Sequence, residues 1–253
     1  MNVSADAVWS RGDAGRQARV DLAACHRLAA RFGLNEGIDN HLTMLVPGYS
    51  DRFYLAPFGL LWSEVKASDL MELDFSGKVV VGHGLIEDTA LHIHLPVHRL
   101  VPDARCVLHT HMPYATALGM LEDPRLAMAG QSAIGFHDDI AYLDYNGLAL
   151  DTCEGERMAR ALGGKSVLML RNHGVLVTGT SAAEAFERLY FLERACQAQA
   201  MAMACNTALN EMPAEVVGKS TAMYDPAVIR RYGLLEWPGL LRKLDRKDPS
   251  FRE

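Results

Sequence analysis

Residues 102–111 read Pro102-Asp103-Ala104-Arg105-Cys106-Val107-Leu108-His109-Thr110-His111, an apolar run that ends in two histidines two positions apart. Side chains along a β-strand alternate between faces, so residues i and i+2 point the same way. The spacing predicts a buried strand over 106–111 whose end presents His109 and His111 on one face, where both imidazoles reach a single ion. Pro113, just beyond, opens a helix, because proline fits the first helical turn.

Working outward, residues 89–100 fit a helix with Asp88 or Thr89 as its cap. Further back, Val20, Ala23, Ala24, Leu28 and Phe32 recur at helical spacing from about Arg16 to Phe32, and Gly33 ends that helix. Residues 41–46 and 52–56 read as short strands around a Pro47-Gly48 turn, and 70–81 as a hairpin turning at Ser76-Gly77. Downstream, Asp151 with Glu154 forms a capping box for a helix that stops at Gly163-Gly164. Two apolar strands, 166–170 and 175–178, flank Asn172-His173-Gly174. Ser181 with Glu184 then caps the longest helix, running to about Ala204. Prolines at 213, 226, 238 and 249 interrupt the rest, which predicts an irregular C-terminal extension over about 205–253 with short helices packed on the body or on a neighbouring subunit.

The chain has 253 residues, 49% of them hydrophobic and 22% charged, which suits one soluble globular domain spanning 1–253. A formal net charge of -6 argues against a nucleic-acid surface, and the basic cluster Arg242, Lys243, Arg246, Lys247 reads as a solvated tail. No basic leader precedes an apolar stretch and no run approaches a membrane span, so the expectation is a cytoplasmic protein without a membrane partner. Five cysteines without a CxxC pair read as buried free thiols.

The chemistry concentrates in the ten histidines. His173 is the candidate third ligand: it joins two apolar strands, and Gly174, lacking a Cβ, leaves room for close approach. Three neutral imidazoles with an open position define a catalytic metal site rather than a structural one. His92, His94 and His98 form a rival cluster read as helix-surface or interface residues, and His26, His41, His83 and His137 read as isolated structural histidines.

The run 102–111, followed by Tyr114-Ala115-Thr116-Ala117, resembles a signature of the class II aldolase/adducin family. Leu170-Arg171-Asn172-His173-Gly174-Val175 resembles its second signature, and Gly37-Ile38-Asp39-Asn40-His41-Leu42-Thr43 is similar to its early glycine/asparagine loop. In this order the motifs cover roughly residues 16–204. The resemblance implies a three-layer α/β/α fold around a mixed, mostly antiparallel sheet, assembled as a homotetramer with sites at subunit interfaces. It also implies a divalent metal, zinc foremost with manganese or cobalt as alternatives, on His109, His111 and His173. The metal would stabilise the enolate or enediolate left when a small carbonyl compound is cleaved.

Two departures shape the functional expectation. The family's sugar-phosphate aldolases carry a catalytic glutamate where this chain has Ala90, and Glu87, three residues earlier, is the candidate acid/base, with His92 or His94 as alternatives. The alternative reading of Glu87 is a charge favoured at a helix N-terminus. At the positions serving the substrate phosphate, this chain has Ala56-Pro57-Phe58-Gly59 and Gly84-Leu85-Ile86, which suit an apolar or carboxylated compound better. Asn40 is a candidate substrate-binding residue; Tyr142 and Tyr145 read as structural, with an approach to a neighbour's site as the alternative. The expected function is thus a metal-dependent carbon–carbon lyase, an aldolase or decarboxylase. A dehydratase or isomerase of the same superfamily and a non-catalytic adducin-like interaction protein are the alternatives.

Overall fold

A computed structural model describes residues 12–222 and 226–253. Helix α1 (Gly12–Phe32) leads into β1 (His41–Leu45), β2 (Arg52–Leu55), β3 (Met71–Asp74) and β4 (Val79–Val81). Helix α2 (Asp88–Leu100), β5 (Cys106–Thr110), α3 (Pro113–Gly119), α4 (Gln131–Ile134), β6 (Ile140–Leu143) and α5 (Thr152–Leu162) follow. The chain continues through β7 (Val167–Leu170), β8 (Gly174–Gly179), α6 (Ala182–Met203), α7 (Ala214–Thr221) and α8 (Pro226–Lys247), and closes with a 3₁₀ turn, Pro249–Arg252. No helix among the described residues is long and apolar enough to cross a membrane.

The eight strands form one sheet in the order β4-β3-β2-β1-β5-β8-β7-β6. Only β6 and β7 pair in parallel, so the sheet is mixed and mostly antiparallel, as expected. Two-residue periodicity sorts its side chains between two helical layers. Cys106, Leu108, Val167, Met169, Val175 and Val177 face the core built with α1, α6 and α8. Val107, Leu168, Leu170 and Leu176 face α2 and α5. Strand β5 is therefore buried on both faces, and only its end opens to chemistry.

Helix α2 continues through Pro96, although proline cannot donate to His92 O four residues back. That carbonyl instead lies against Gly155 of α5, where an added Cβ would fall 1.9 Å from it. The missing hydrogen bond and the missing side chain together let the two helices cross closely. The cap of α2 is Glu87 rather than Asp88 or Thr89: its carboxylate accepts from Thr89 N and Ala90 N. Asp151 caps α5 as expected, but Glu154 pairs with Arg157 and does not close the box.

Residues 205–213 are irregular and α7 is short, as expected, but the expected irregularity does not extend to the rest of the C-terminal segment. Residues 226–247 make a 22-residue helix that carries Pro238 inside it. Tertiary packing overrides the local proline signal. Gly233 lies against the backbone of Ala183, buried Trp237 donates to Asp21 Oδ1 at 2.9 Å, and Leu244 and Phe251 enter the main core. Of the five thiols, Cys25, Cys106 and Cys196 are buried, whereas Cys153 and Cys205 are exposed.

Candidate metal centre

Three local features bring the triad together. Strand β5 carries His109 to its end, with His111 just past it. Asn172, in the left-handed region at φ 55°, turns the chain between β7 and β8 and delivers His173. Gly174 pairs with Leu170 across the turn, and a Cβ there would meet Thr110 O at 2.5 Å and His111 Cδ2 at 2.7 Å. The room predicted at Gly174 is thus used by the ring of His111.

The ligand atoms of His109, His111 and His173 all lie within 4.8 Å of one another. Ring centroids are 5.1 Å apart for His109 and His111, and 4.8 Å for each of them to His173. His109 Nδ1 bonds Val175 O at 2.9 Å and His111 Nδ1 bonds Glu36 Oε2 at 2.7 Å. Both second nitrogens are thereby oriented from behind, and His111 Nε2 is buried without a partner among the described residues. An orphaned imidazole nitrogen facing two others is what a bound cation would satisfy. Burial, with the neighbouring histidines adding to it, pushes His109 well below the ordinary histidine range and His173 to about 4. Burial thus favours neutral rings, the form a metal requires.

The early loop clamps the triad. Asn40, at φ 77°, accepts from Glu36 N and from His111 N through the same Oδ1, each at 3.1 Å. Its Nδ2 is buried and has no partner among the described residues. Behind the strand end, α3 has no side-chain cap of its own. Buried Glu193 of α6 supplies one by accepting from Tyr114 N and Ala115 N, both at 2.9 Å.

His41 opens β1 directly opposite His109 in the β1–β5 register, with ring centroids 4.9 Å apart. Its Nε2 is 3.5 Å from Glu87 Oε2, which places Glu87 one imidazole away from the triad. Burial, then His111 and His173, push His41 down to about 3. His94 is fully buried behind His41, and His98 is buried beneath Phe53, so neither is the surface residue expected from helix spacing. Burial pushes both down, His98 to about 4.

The candidates thus divide. The three candidate ligands and Asn40 converge, and Glu87 stands at the edge, at once helix cap and neighbour of His41. His92 is only half-buried, with its carbonyl turned to α5. Tyr145 lies against His173 at 5.9 Å, whereas Tyr142 accepts from Leu126 N and lines a roomier cavity of about 430 Å³ that holds none of the triad. Sequence reasoning missed His41 and Glu36. His41 carries a signal only once β1 is known to pair with β5, and Glu36 depends on the loop conformation.

A narrow cleft beside the triad is lined by Asn40, His41, Glu87, Phe58, Leu60 and Trp62, among others. Among the described residues no lysine or arginine lines it. Phe58 N is already bonded to Leu85 O and Leu61 N to Glu64 Oε1, so these two loop amides are engaged.

Residues 20–200 match the family described as the Class II Aldolase and Adducin N-terminal domain. A provisionally named class 2 aldolase of Pseudomonas aeruginosa is 36% identical over 241 residues, covering 94% of this chain and 92% of that one. Mouse alpha-adducin is 36% identical over 191 residues, 74% of this chain but 26% of its own length. Among solved structures, an aldolase II superfamily protein from Pseudomonas syringae superposes with a TM-score of 0.87 at 36% identity, covering 96% and 97% of the two chains. L-fuculose 1-phosphate aldolase from Glaciozyma antarctica, at 23% identity, shares the fold with a TM-score of 0.84 over 94% and 93%.

Proposed function

Because the chain belongs to the class II aldolase/adducin family, we propose that it is a metal-dependent carbon–carbon lyase acting on a small carbonyl compound. The observation that carries this reading is the convergence of His109, His111 and His173, with an orphaned Nε2 on His111. Zinc suits three imidazoles with an open position, manganese or cobalt being the alternatives. A divalent ion there supplies Lewis-acid stabilisation of the charge that grows on a carbonyl oxygen as the neighbouring bond breaks.

The chain's own residues do the rest. Val175 O and Glu36 hold two ligand rings in register, and Asn40 ties the early loop to the triad. Glu87 Oε2, beside His41, is the candidate atom for holding and moving the proton. The absence of a lysine or arginine from the described residues lining the cleft, and its engaged loop amides, disfavour a phosphorylated substrate. A homotetramer in the cytoplasm completes the reading, with Leu148 and Leu150, exposed on the loop after Tyr145, as apolar residues for a subunit contact.

Similarity to adducin gives the second reading, an interaction protein. Retention of three converging histidines favours the enzyme. The test is elemental analysis beside turnover of aldols and keto acids. About one zinc or manganese ion per chain, lost together with turnover in His109→Ala and His173→Ala, supports the lyase. A protein that neither contains nor takes up metal overturns it.

A further inference from the structure

The walls of the cleft beside the triad are built differently. Leu55 belongs to the paired strand β2, and Glu87 and Ala90 to the capped start of α2, whereas Leu60 and Trp62 sit on the loop 59–66. The cleft holds about 20 Å³, room for one small group. A larger substrate enters only if a wall gives way, and a loop yields at lower cost than a paired strand or a capped helix. Gly59, at φ 102°, opens the loop in a conformation that side chains disfavour, with nothing within 4 Å of where its Cβ would lie.

The loop is held from behind by one side chain. Arg27 of α1, its side chain 10% exposed, donates Nε to Val65 O at 2.8 Å, Nη1 to Ser63 O and Nη2 to Glu64 O at 2.9 Å. Its other two N–H groups go to the closing 3₁₀ turn: Nη1 to Asp248 Oδ2 at 3.1 Å and Nη2 to Ser250 Oγ at 3.0 Å. A guanidinium has five N–H donors, so all five are engaged, three by consecutive loop carbonyls and two by the turn. The single nitrogen of a lysine cannot reproduce that fork. Three further bonds join the same segments: Ala67 N to Phe251 O at 3.0 Å, Ser68 N to Glu253 O at 2.7 Å and Lys66 Nζ to Glu253 Oε2 at 2.6 Å. Phe251, buried in the main core, anchors the turn, and Trp62 meets His26, the residue before Arg27, edge-on at 5.0 Å.

We propose that the loop 59–66 is the movable wall of the cleft, that Arg27 is the positioning residue latching it to the turn Pro249–Arg252, and that release of the latch widens the cleft. The inference rests on the reading of this cleft as the substrate site and adds the element that sets its width. Because one guanidinium serves both segments, weakening its hold on the turn loosens its hold on the loop.

The test compares wild type with Arg27→Lys, which keeps the charge and loses the fork, and with Asp248→Ala/Ser250→Ala, which alters the turn and leaves the loop untouched. Amide exchange is followed by mass spectrometry, and the wall is read from the ¹⁹F resonance of Trp62 in protein labelled with 5-fluorotryptophan, assigned from Trp62→Phe. Either variant should quicken exchange over residues 60–68 about tenfold and shift the Trp62 resonance, with β5 and β8 exchanging as in wild type. Combining them should add little, since both break one latch. In the zinc-loaded protein, the preference for acetohydroxamate over the bulkier benzohydroxamate should fall about tenfold in the turn variant. Loop exchange and a Trp62 resonance unchanged in the turn variant, additive effects of the two variants, or an unchanged probe preference overturns the latch. Should Arg27→Lys fail to fold, the turn variant decides alone. Exchange and fluorine readouts need no metal, so a protein that takes up no zinc overturns the metal-centre reading while the latch is still decided.

Discussion

Glu36 reaches from the early loop to within 2.7 Å of His111 Nδ1, on the side of the ring away from the triad. With a metal bound on the triad, as proposed, such a contact would fix which nitrogen faces the ion and raise the basicity of that ring. Glu36→Ala is expected to weaken zinc binding by about 10- to 100-fold while leaving the fold intact, as read by competition with a chromophoric chelator. Unchanged affinity would show that His111 is oriented by Asn40 and the strand alone.

The helix crossing at Gly155 admits no side chain. A Cβ there would fall 1.9 Å from His92 O and 2.8 Å from Pro96 Cγ. Gly155→Ala is expected to destabilise the fold by about 3 kcal/mol or more, at the upper end of overpacking costs, because the first obstacle is backbone. Urea unfolding measures it, and a loss below about 1 kcal/mol would mean that α2 and α5 slide apart freely.

Glu193 caps α3 across the core, and α3 begins two residues after His111. Glu193→Ala leaves two amides at that helix start without their acceptor, for an expected loss of about 2 kcal/mol. Because the same segment fixes the end of β5, zinc affinity should fall too, whereas Gly155→Ala should lower stability with less effect on zinc. Zinc affinity equal to wild type in Glu193→Ala would confine the cap to a structural role.

Burial holds His26 at about 4, its Nδ1 bonded to Leu22 O. The folded value lies below the unfolded one of about 6.5, so the unfolded chain binds the proton more readily. The stability contributed by the neutral ring is complete above about pH 6.5 and is lost as the pH falls toward 4, by about 3 kcal/mol at most. Denaturant midpoints across that window should drop in the wild type and drop less in His26→Asn. An equal slope in both would assign the acid sensitivity to other groups.

Much of the architecture is legible in local patterns. The two-residue alternation of 106–111, the close approach that Gly174 allows, and the Ser181 cap before a long apolar helix each follow from steric or hydrogen-bonding rules that act within a few residues. The signature motifs carried the triad for the same reason: His109 and His111 share a strand face whatever surrounds them. Glu87, whose position suits either an acid/base or a helix terminus, is the cap of α2, because one local turn leaves both roles open in the sequence.

The sequence by itself determined which residues can form strands, helices and a metal-ligating pair, since those choices depend on neighbours along the chain. Tertiary structure alone decided that β1 lies against β5, which sets His41 opposite His109 and buries His94 and His98 in one hydrogen-bonded row. It also decided that α8 runs unbroken through Pro238, because Trp237 and Leu244 reach the main core. Strand pairing and helix docking are settled by burial and register between segments far apart in sequence, and no local propensity encodes them.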